Sequence, residues 1–272
     1  MKYKLIVSDF DGTMAINGVV SPSVIKSINK YRANGGKFVM CTGRARVSAN
    51  SVINKNAIQT DAVISLQGAL CEVDGTKIIH GGIPKRVIYD MLLDIRSFGL
   101  GCVIWQDDNL FYENDKNSLE YVSYFKDTDV VTLPLNNESQ ILDTEKDVFG
   151  KIAINKTPAY LFEKIISFIN EKYGEYVVAN SGASYLVEIV SKHYTKYQTT
   201  KKIAEYFGFN ENEVITVGDS TNDLTLLNYG FGIAVGNAES ELKKVAKYIA
   251  PSVEENAISF IIDKALNNEE FI

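Results

Sequence analysis

The sequence predicts an α/β protein, with a doubly wound parallel sheet as its core and a second, α+β domain inserted into that core. Short apolar strand patterns alternate with amphipathic helix patterns at both ends of the chain, which is typical of a parallel sheet covered by helices. Between about residues 82 and 186 the predicted strands become more polar and aromatic, which favours a separate, mostly antiparallel sheet. We therefore predict a core from residues 1–82 and 187–272 and an inserted domain over residues 83–186.

The first part of the predicted core alternates strands and helices with short turns between them. Ser21-Pro22 offers an N-cap and a first-turn proline, and the helix that begins there ends at Gly35-Gly36. A second helix is predicted to end near Asn54. Strands are predicted for three apolar runs, Leu5-Ile6-Val7, Phe38-Val39-Met40-Cys41 and Ala62-Val63-Ile64-Ser65.

The inserted domain and the last part of the core follow from the same periodicities. Apolar residues every three or four positions predict helices over 84–98 and 158–172 in the insert, among strands at 102–105, 150–154 and 176–179. In the core, a helix over 199–207 ends at Gly208 and precedes a strand at 214–217. A helix containing Leu224 and Leu227, a strand at 231–235 and a helix at 240–247 complete the prediction.

Composition excludes several classes of function. A net charge of −6 argues against a basic nucleic-acid surface, and no run approaches the ~18 apolar residues that a membrane span needs. Three isolated cysteines and an N-terminal apolar run too short for a secretion signal predict a reduced, cytoplasmic protein. An anionic substrate then requires local positive charge, from a metal ion or a lysine.

Two acidic clusters lie directly behind predicted buried strands. They are Asp9-Phe10-Asp11-Gly12-Thr13 and Gly218-Asp219-Ser220-Thr221-Asn222-Asp223. Ligands of open α/β sheets bind beyond the carboxyl ends of the strands, so both clusters are expected to face one site. Four carboxylates in one crevice repel one another unless a cation lies among them. The clusters therefore predict a magnesium-dependent phosphoryl-transfer enzyme.

The acidic residues are expected to have different roles. Asp9, at the strand end, is the predicted nucleophile, because an aspartyl-phosphate is easily hydrolysed. Asp11 is the predicted acid and base, with a pKa raised by its acidic neighbours. Magnesium prefers oxygen ligands, which Asp9, Asp219 and a carbonyl of the Asp11 turn supply, with Asn222 and Asp223 within reach.

The remaining predicted site residues bind the phosphate or neutralise its charge. Thr42 and the backbone N–H groups around Gly43 are candidate donors to phosphate oxygens, and Arg44 is a candidate substrate-binding residue. Lys196 is the candidate cation, and Lys192 and Lys201 are the alternatives.

These motifs resemble the haloacid dehalogenase (HAD) superfamily of phosphohydrolases. The four motifs of that family match Asp9-Phe10-Asp11-Gly12-Thr13, Thr42-Gly43-Arg44, Lys196 and the cluster at 218–223, in the family's order. The insert resembles the cap of the Cof-type (IIB) subfamily. The resemblance implies a Rossmann-like core, a mobile cap, a magnesium ion and an aspartyl-phosphate intermediate. It also implies that Asp9 is the nucleophile, Asp11 the acid and base, and Lys196 the charge neutraliser. Asp219 and Asp223 would be the acids of the metal site.

The chain departs from the subfamily pattern at three places. Gln67-Gly68 stands where Asn-Gly is usual, Tyr197 follows Lys196 in place of glycine, and Asn256-Ala257 replaces Asp-Gly. The predicted function is a magnesium-dependent phosphatase of a small phosphorylated metabolite, with a sugar phosphate as the first choice and neither nucleic acid nor membrane as a partner. The alternatives are a phosphomutase of the same fold and a metabolite-binding regulator without turnover.

Overall fold

The computed structural model describes residues 1–126, 128–181 and 185–271. The chain divides into two compact units. The first contains Met1–Arg44, Ala49–Ile79 and Thr195–Ile272, and the second contains Ala45–Ser48 and His80–Tyr194.

The first unit is built on a large sheet that is mostly parallel. In the described ranges it has eight strands, which lie in the order Tyr248–Ile249, Phe231–Ala234, Val214–Gly218, Leu5–Ser8, Lys37–Cys41, Ala62–Ser65, Leu70–Val73 and Thr76–His80. The first six run parallel, and Leu70–Val73 pairs antiparallel with Ala62–Ser65. Ser8 stands opposite Val217, so the strands that precede the two acidic clusters end side by side.

Helices alternate with these strands, as predicted. They are Pro22–Ala33, Arg46–Asn56, Lys196–Tyr206, Leu224–Leu227, Ser240–Val245 and Ala257–Asn267. Ser21 caps the first helix by accepting a hydrogen bond from the Ser23 N–H, and Pro22 occupies its first turn. Its buried face consists of Val24, Ile28 and Tyr31. The parallel sheet with interleaved helices confirms the predicted Rossmann-like α/β fold.

Several elements of the first unit lack a counterpart in the prediction. Two-residue strands Ala15–Ile16 and Val19–Val20 form an antiparallel hairpin directly after the first acidic cluster. Strands Leu70–Val73 and Thr76–His80 are joined by Asp74 and Gly75, both with positive φ, the turn geometry that suits a tight hairpin. The last helix, Ala257–Asn267, buries five apolar residues.

The second unit contains a sheet that is mostly antiparallel, as predicted. Its strands lie in the order Val131–Pro134, Asn109–Tyr112, Val103–Gln106, Lys151–Ile154, Val187–Ser191 and Val177–Ser181. Only the pair of Val131–Pro134 with Asn109–Tyr112 is parallel among the described strand pairs of this sheet. Strands Ile83–Pro84 and Val148–Phe149 form a separate antiparallel pair.

The bounds of the second unit differ from the predicted domain of residues 83–186. Strand Val187–Ser191 pairs with both of its neighbours in the antiparallel sheet, so the predicted boundary after residue 186 falls inside this unit. The unit continues to Tyr194. Alternating burial in Val187–Ser191 resembles that of any half-covered strand, and the sequence pattern alone does not show which sheet the strand joins.

The described residues of the second unit also form four α-helices. They are Lys85–Ser97, Lys116–Ser123, Ser139–Leu142 and Ala159–Tyr173. The predicted helices at 84–98 and 158–172 are confirmed to within one residue at each end. Ile88, Met91 and Ile165 of the helices form a common buried core with Ile104 and Ile152 of the strands.

Cys41, Cys71 and Cys102 are free and buried. Burial raises the pKa of the Cys41 and Cys102 thiols well above the ordinary value, and burial with the nearby Glu72 raises that of Cys71 to about 12. Over the described residues, no helix is both long and apolar enough to cross a membrane.

Candidate active site

Asp9 lies at the carboxyl end of the central strand Leu5–Ser8. Its backbone N–H donates a 2.9 Å hydrogen bond to the Val217 carbonyl oxygen on the neighbouring strand. This bond ties the first acidic cluster to the strand that leads into the second. Asp9 is only 6% exposed, because buried strands flank it on both sides.

Lys196 is the cation that reaches Asp9. Its Nζ donates 2.7 Å hydrogen bonds to Oδ1 of Asp9 and to Oδ1 of Asp223, and its side chain is 1% exposed. Lys196 is the first residue of its helix, which Thr195 and Gln198 cap reciprocally at the N-terminus. The capping box therefore fixes the backbone from which the lysine extends.

Tyr197 departs from the subfamily pattern next to Lys196, and Lys192 and Lys201 are the alternatives that the sequence offers for the cation. Tyr197 packs its ring edge-on against Tyr229, with 5.7 Å between centroids. Of the two alternative lysines, Lys192 donates to the Gly174 carbonyl oxygen in the second unit, and Lys201 is exposed.

Three carboxylates form a cluster around this lysine. Asp9, Asp219 and Asp223 each offer an oxygen, and these atoms lie within 4.8 Å of one another. The second oxygen of Asp223 accepts hydrogen bonds from the backbone N–H groups of Asp219 and Ser220, at 3.1 and 3.3 Å. Thr13 donates its hydroxyl to Oδ1 of Asp219 at 2.8 Å, so Asp219 and Asp223 are each oriented by a neighbouring donor.

Burial and mutual repulsion raise the pKa of two of these carboxyl groups. Burial, with the charge of Asp223, raises the pKa of Asp9 well above its ordinary value, although Lys196 opposes this shift. Burial also raises the pKa of Asp219 to about 6, although the Thr13 hydrogen bond opposes it. Burial alone lowers the pKa of Lys196, but the charges of Asp223 and Asp9 outweigh it and raise the pKa well above the ordinary value. The lysine is therefore charged, and one positive charge faces three acids.

This donor set fits a hard divalent cation. It consists of carboxylate oxygens alone, which are the ligands that magnesium and calcium prefer, and it contains neither the nitrogen nor the sulfur that softer metals favour. A cation at this position would also counter the burial and repulsion that raise the two pKa values.

Gly12 allows the first cluster to approach the second. Its φ is +79°, and a Cβ at this position would lie 2.4 Å from Oδ2 of Asp219. Asn237 holds the same turn from the other side, because its Nδ2 donates to the Gly12 carbonyl oxygen at 2.8 Å. The Oδ1 of Asn237 in turn accepts the Val253 N–H at 2.9 Å. This contact between Asn237 and the Gly12 turn was not predicted from the sequence.

Asp11 and Asn222 lie near the cluster without entering it. The Asp11 side chain is 51% exposed, and its carboxylate accepts two 2.7 Å hydrogen bonds from Nε and Nη2 of Arg44. Among the described residues it does not belong to the group of carboxylates close enough to share a cation. Asn222 is exposed and its Oδ1 pairs with the Ser220 hydroxyl. Their assignment to the metal site stays a prediction.

The predicted phosphate-binding turn follows strand Lys37–Cys41, next to the Asp9 strand. Thr42 is buried and its N–H donates to the Ile64 carbonyl oxygen at 2.8 Å. The Arg44 N–H donates to the Thr42 hydroxyl oxygen at 3.2 Å, and the Arg44 guanidinium lies 5.4 Å from the centre of the Phe10 ring. The turn therefore adjoins the first acidic cluster.

Comparison with known proteins identifies the family of this site and fold. The sequence profile of the haloacid dehalogenase-like hydrolases matches residues 6–262. The putative phosphatase YxeH of Bacillus subtilis is 27% identical over 96% of this chain and 97% of its own length. YitU of the same organism, named 5-amino-6-(5-phospho-D-ribitylamino)uracil phosphatase, is 23% identical over 94% of each chain.

The solved structures agree on the fold. The HAD subclass IIB sugar phosphatase BT4131 superposes with a TM-score of 0.78 at 22% identity, over 96% of this chain and 98% of the other. A haloacid dehalogenase-like hydrolase from Bacteroides thetaiotaomicron gives a TM-score of 0.80 at 22% identity, over 97% and 99%. This chain belongs to the haloacid dehalogenase-like hydrolase family. The predicted resemblance and the predicted enzyme class, a phosphatase of this superfamily, are confirmed.

Proposed function

We propose that this protein is a magnesium-dependent phosphatase that hydrolyses a small phosphorylated metabolite through an aspartyl-phosphate on Asp9. The observation that carries the proposal is the buried contact of Lys196 with both Asp9 and Asp223, with Asp219 beside them. A buried carboxylate with one fixed cationic partner is a suitable nucleophile, because its charge and direction are set before substrate arrives.

Magnesium would be held by Asp9, Asp219 and Asp223, with Asn222 and the carbonyl of the Asp11 turn as further candidates. When bound, it would neutralise charge on the phosphoryl oxygens. The chain itself orients Asp219 by the Thr13 hydroxyl and Asp223 by hydrogen bonds from two backbone N–H groups, and Lys196 holds Asp9.

In the first proposed step a carboxylate oxygen of Asp9 forms a bond to phosphorus. The bond between phosphorus and the ester oxygen breaks, and Asp11 gives a proton to the departing alkoxide. In the second step Asp11 takes a proton from water as the water oxygen bonds to phosphorus, and the Asp9–phosphorus bond breaks. Asp9 is restored and inorganic phosphate is released.

Asp11 begins this sequence paired with Arg44, and it must turn from the guanidinium to reach the ester oxygen. Its side chain is half exposed, so this rotation does not require the core to move. Thr42, Gly43 and Lys196 would bind the phosphoryl oxygens, and Arg44, once released, would be available to the substrate.

A sugar phosphate is the proposed substrate class. BT4131 is named a sugar phosphatase, and YitU is named for a phosphorylated ribityl compound. The substrates in both names carry their phosphate on a polyhydroxylated carbon chain. We assign catalysis to the first unit and selection of the substrate to the second. The free, buried state of all three cysteines supports a cytoplasmic location.

The first test is a phosphate-release screen over a panel of phosphorylated metabolites, with magnesium and with excess chelator. The proposal predicts steady release of phosphate from at least one small ester, and loss of that release in chelator. A phosphomutase would return isomerised ester without steady release of phosphate. A regulator without turnover would bind a metabolite and release none.

The second test is Asp9→Asn, which removes the nucleophile while keeping the size of the side chain. It should abolish turnover and leave the protein folded by circular dichroism. Asp263→Asn is the control, since Asp263 is exposed and pairs with the exposed Lys30. Full activity in Asp9→Asn would refute the aspartyl-phosphate mechanism.

A further inference from the structure

The turn Leu66–Gly68 has an unusual backbone for its sequence. Three consecutive residues have positive φ, at 51° for Leu66, 58° for Gln67 and 110° for Gly68. Leu and Gln rarely adopt this region, because their Cβ crowds the backbone. Such strain persists only where the surrounding structure enforces it, and it is common at functional sites.

Contacts on one side of this turn reach the predicted phosphate-binding turn. The Leu66 N–H donates to the Arg44 carbonyl oxygen at 2.8 Å, and the Gln67 N–H donates to the Thr42 carbonyl oxygen at 3.2 Å. The strained turn and the phosphate-binding turn are therefore held together by their backbones.

Contacts on the other side reach the helix that carries Lys196. The Thr199 hydroxyl donates to the Gly68 carbonyl oxygen at 2.7 Å. A Cβ on Gly68 would lie 2.4 Å from the backbone carbon of Thr195 and 2.8 Å from the Lys196 nitrogen. The turn thus lies directly between two elements of the site, and its conformation fits both.

The side chain of Gln67 is buried beside Gly43. The residue is 7% exposed, and its Nε2 lies 2.6 Å from the position that a Gly43 Cβ would occupy. Within the described ranges the carboxamide makes no hydrogen bond to the protein, although its backbone N–H does. The amide atoms of Gln67 are not fully shielded from solvent, so a carboxamide without a protein partner lies next to a phosphate-binding turn and is accessible to a ligand there.

We propose that the Gln67 carboxamide donates an N–H to a non-bridging oxygen of the bound phosphoryl group. Gly43 leaves open the space that this amide occupies, and Thr42 and Gly43 bring donors to the same place. The strained backbone holds the amide there before substrate arrives, so little side-chain entropy is lost on binding. This assignment rests on the proposed phosphatase function and adds a phosphate-binding residue to it.

The test compares Gln67→Met and Gln67→Glu with the wild type in the presence of magnesium. Methionine keeps the length of the side chain without a donor, and glutamate keeps its shape and replaces the donor by a carboxylate. Inorganic phosphate is the probe, with its binding measured by calorimetry and its inhibition constant by phosphate-ester turnover. Gln59→Met, at an exposed glutamine of the same unit, is the control.

Loss of one hydrogen bond to a charged acceptor predicts about tenfold to hundredfold weaker binding of inorganic phosphate in Gln67→Met, and a larger loss in Gln67→Glu. Thermal unfolding should show both variants folded. Unchanged phosphate affinity in both folded variants would overturn the assignment, as would a rise in KM for esters without any loss of inorganic phosphate binding. A wild type that binds phosphate but hydrolyses no ester would refute the phosphatase proposal and leave this residue's role intact.

Discussion

Lys196→Met is the substitution that tests most directly how the site is held together. It removes the only cation seen to contact Asp9 or Asp223 in the described chain, and it preserves the volume of the side chain. Asp223 is fully buried and Asp9 nearly so, so neither carboxylate gains water as a replacement partner. The variant therefore leaves two uncompensated buried acids.

Removing one partner of a buried ion pair costs about 3–5 kcal/mol, and Lys196 serves two carboxylates at 2.7 Å each. We expect the free energy of unfolding without metal to fall by at least about 3 kcal/mol. Magnesium should recover part of this loss, since it binds the folded cluster and not the unfolded chain. Urea unfolding with and without magnesium measures both effects, and turnover should be lost.

Lys201→Met is the matched control, because Lys201 lies on the same helix and is exposed. It should leave the free energy of unfolding and the turnover close to the wild-type values. The reasoning is refuted if Lys196→Met without metal is as stable as the wild type. It is also refuted if magnesium stabilises the variant no more than it stabilises the wild type.

Two further predictions concern the turn at Gly12 and the buried carboxylate of Asp61. Gly12→Ala should lower kcat strongly, because the new Cβ would lie 2.4 Å from Asp219. The control is Gly35→Ala, at a glycine that is also left-handed but has open space around it; it should lower only the free energy of unfolding in urea, by about 1–2 kcal/mol. Equal losses of kcat in the two variants would contradict the prediction. Asp61→Asn should cost about 2 kcal/mol at pH 7, because Asp61 accepts charged hydrogen bonds from Arg32. Burial opposes the effect, but these bonds lower the pKa of Asp61 below its ordinary 3.8. The difference in unfolding free energy between wild type and variant should therefore persist down to pH 5 and shrink below about pH 4. A difference that grows on acidification would contradict the prediction.

The sequence predicts the parallel core well because its strands are buried on both faces. Three of these strands are short and largely apolar, and each ends at a polar residue or a turn: Leu5–Ser8, Lys37–Cys41 and Ala62–Ser65. The hairpin Ala15–Ile16 with Val19–Val20 is too short to give a periodic pattern. The membership of Val187–Ser191 depends on its partners, which the strand's own residues do not specify.

Within the site, the sequence predicts residue types better than their contacts. The helix start at Lys196 was readable, since Thr195 and Gln198 have the spacing of a capping box, yet the predicted helix begins at residue 199. The pairing of Asp11 with Arg44 joins residues 33 positions apart and depends on the turn at Gly12. The left-handed conformation of Gln67 was not predictable, because glutamine carries no preference for it.

The buried thiols make this protein convenient for labelling. The reactive form of cysteine is the thiolate, and Cys41, Cys71 and Cys102 are buried with raised pKa values that disfavour it. Maleimide reagents should therefore leave the folded wild type largely unmodified. A single cysteine introduced on the surface of the second unit would carry a fluorophore or spin label without removal of any native residue. The label would then report on the second unit in an otherwise unaltered protein.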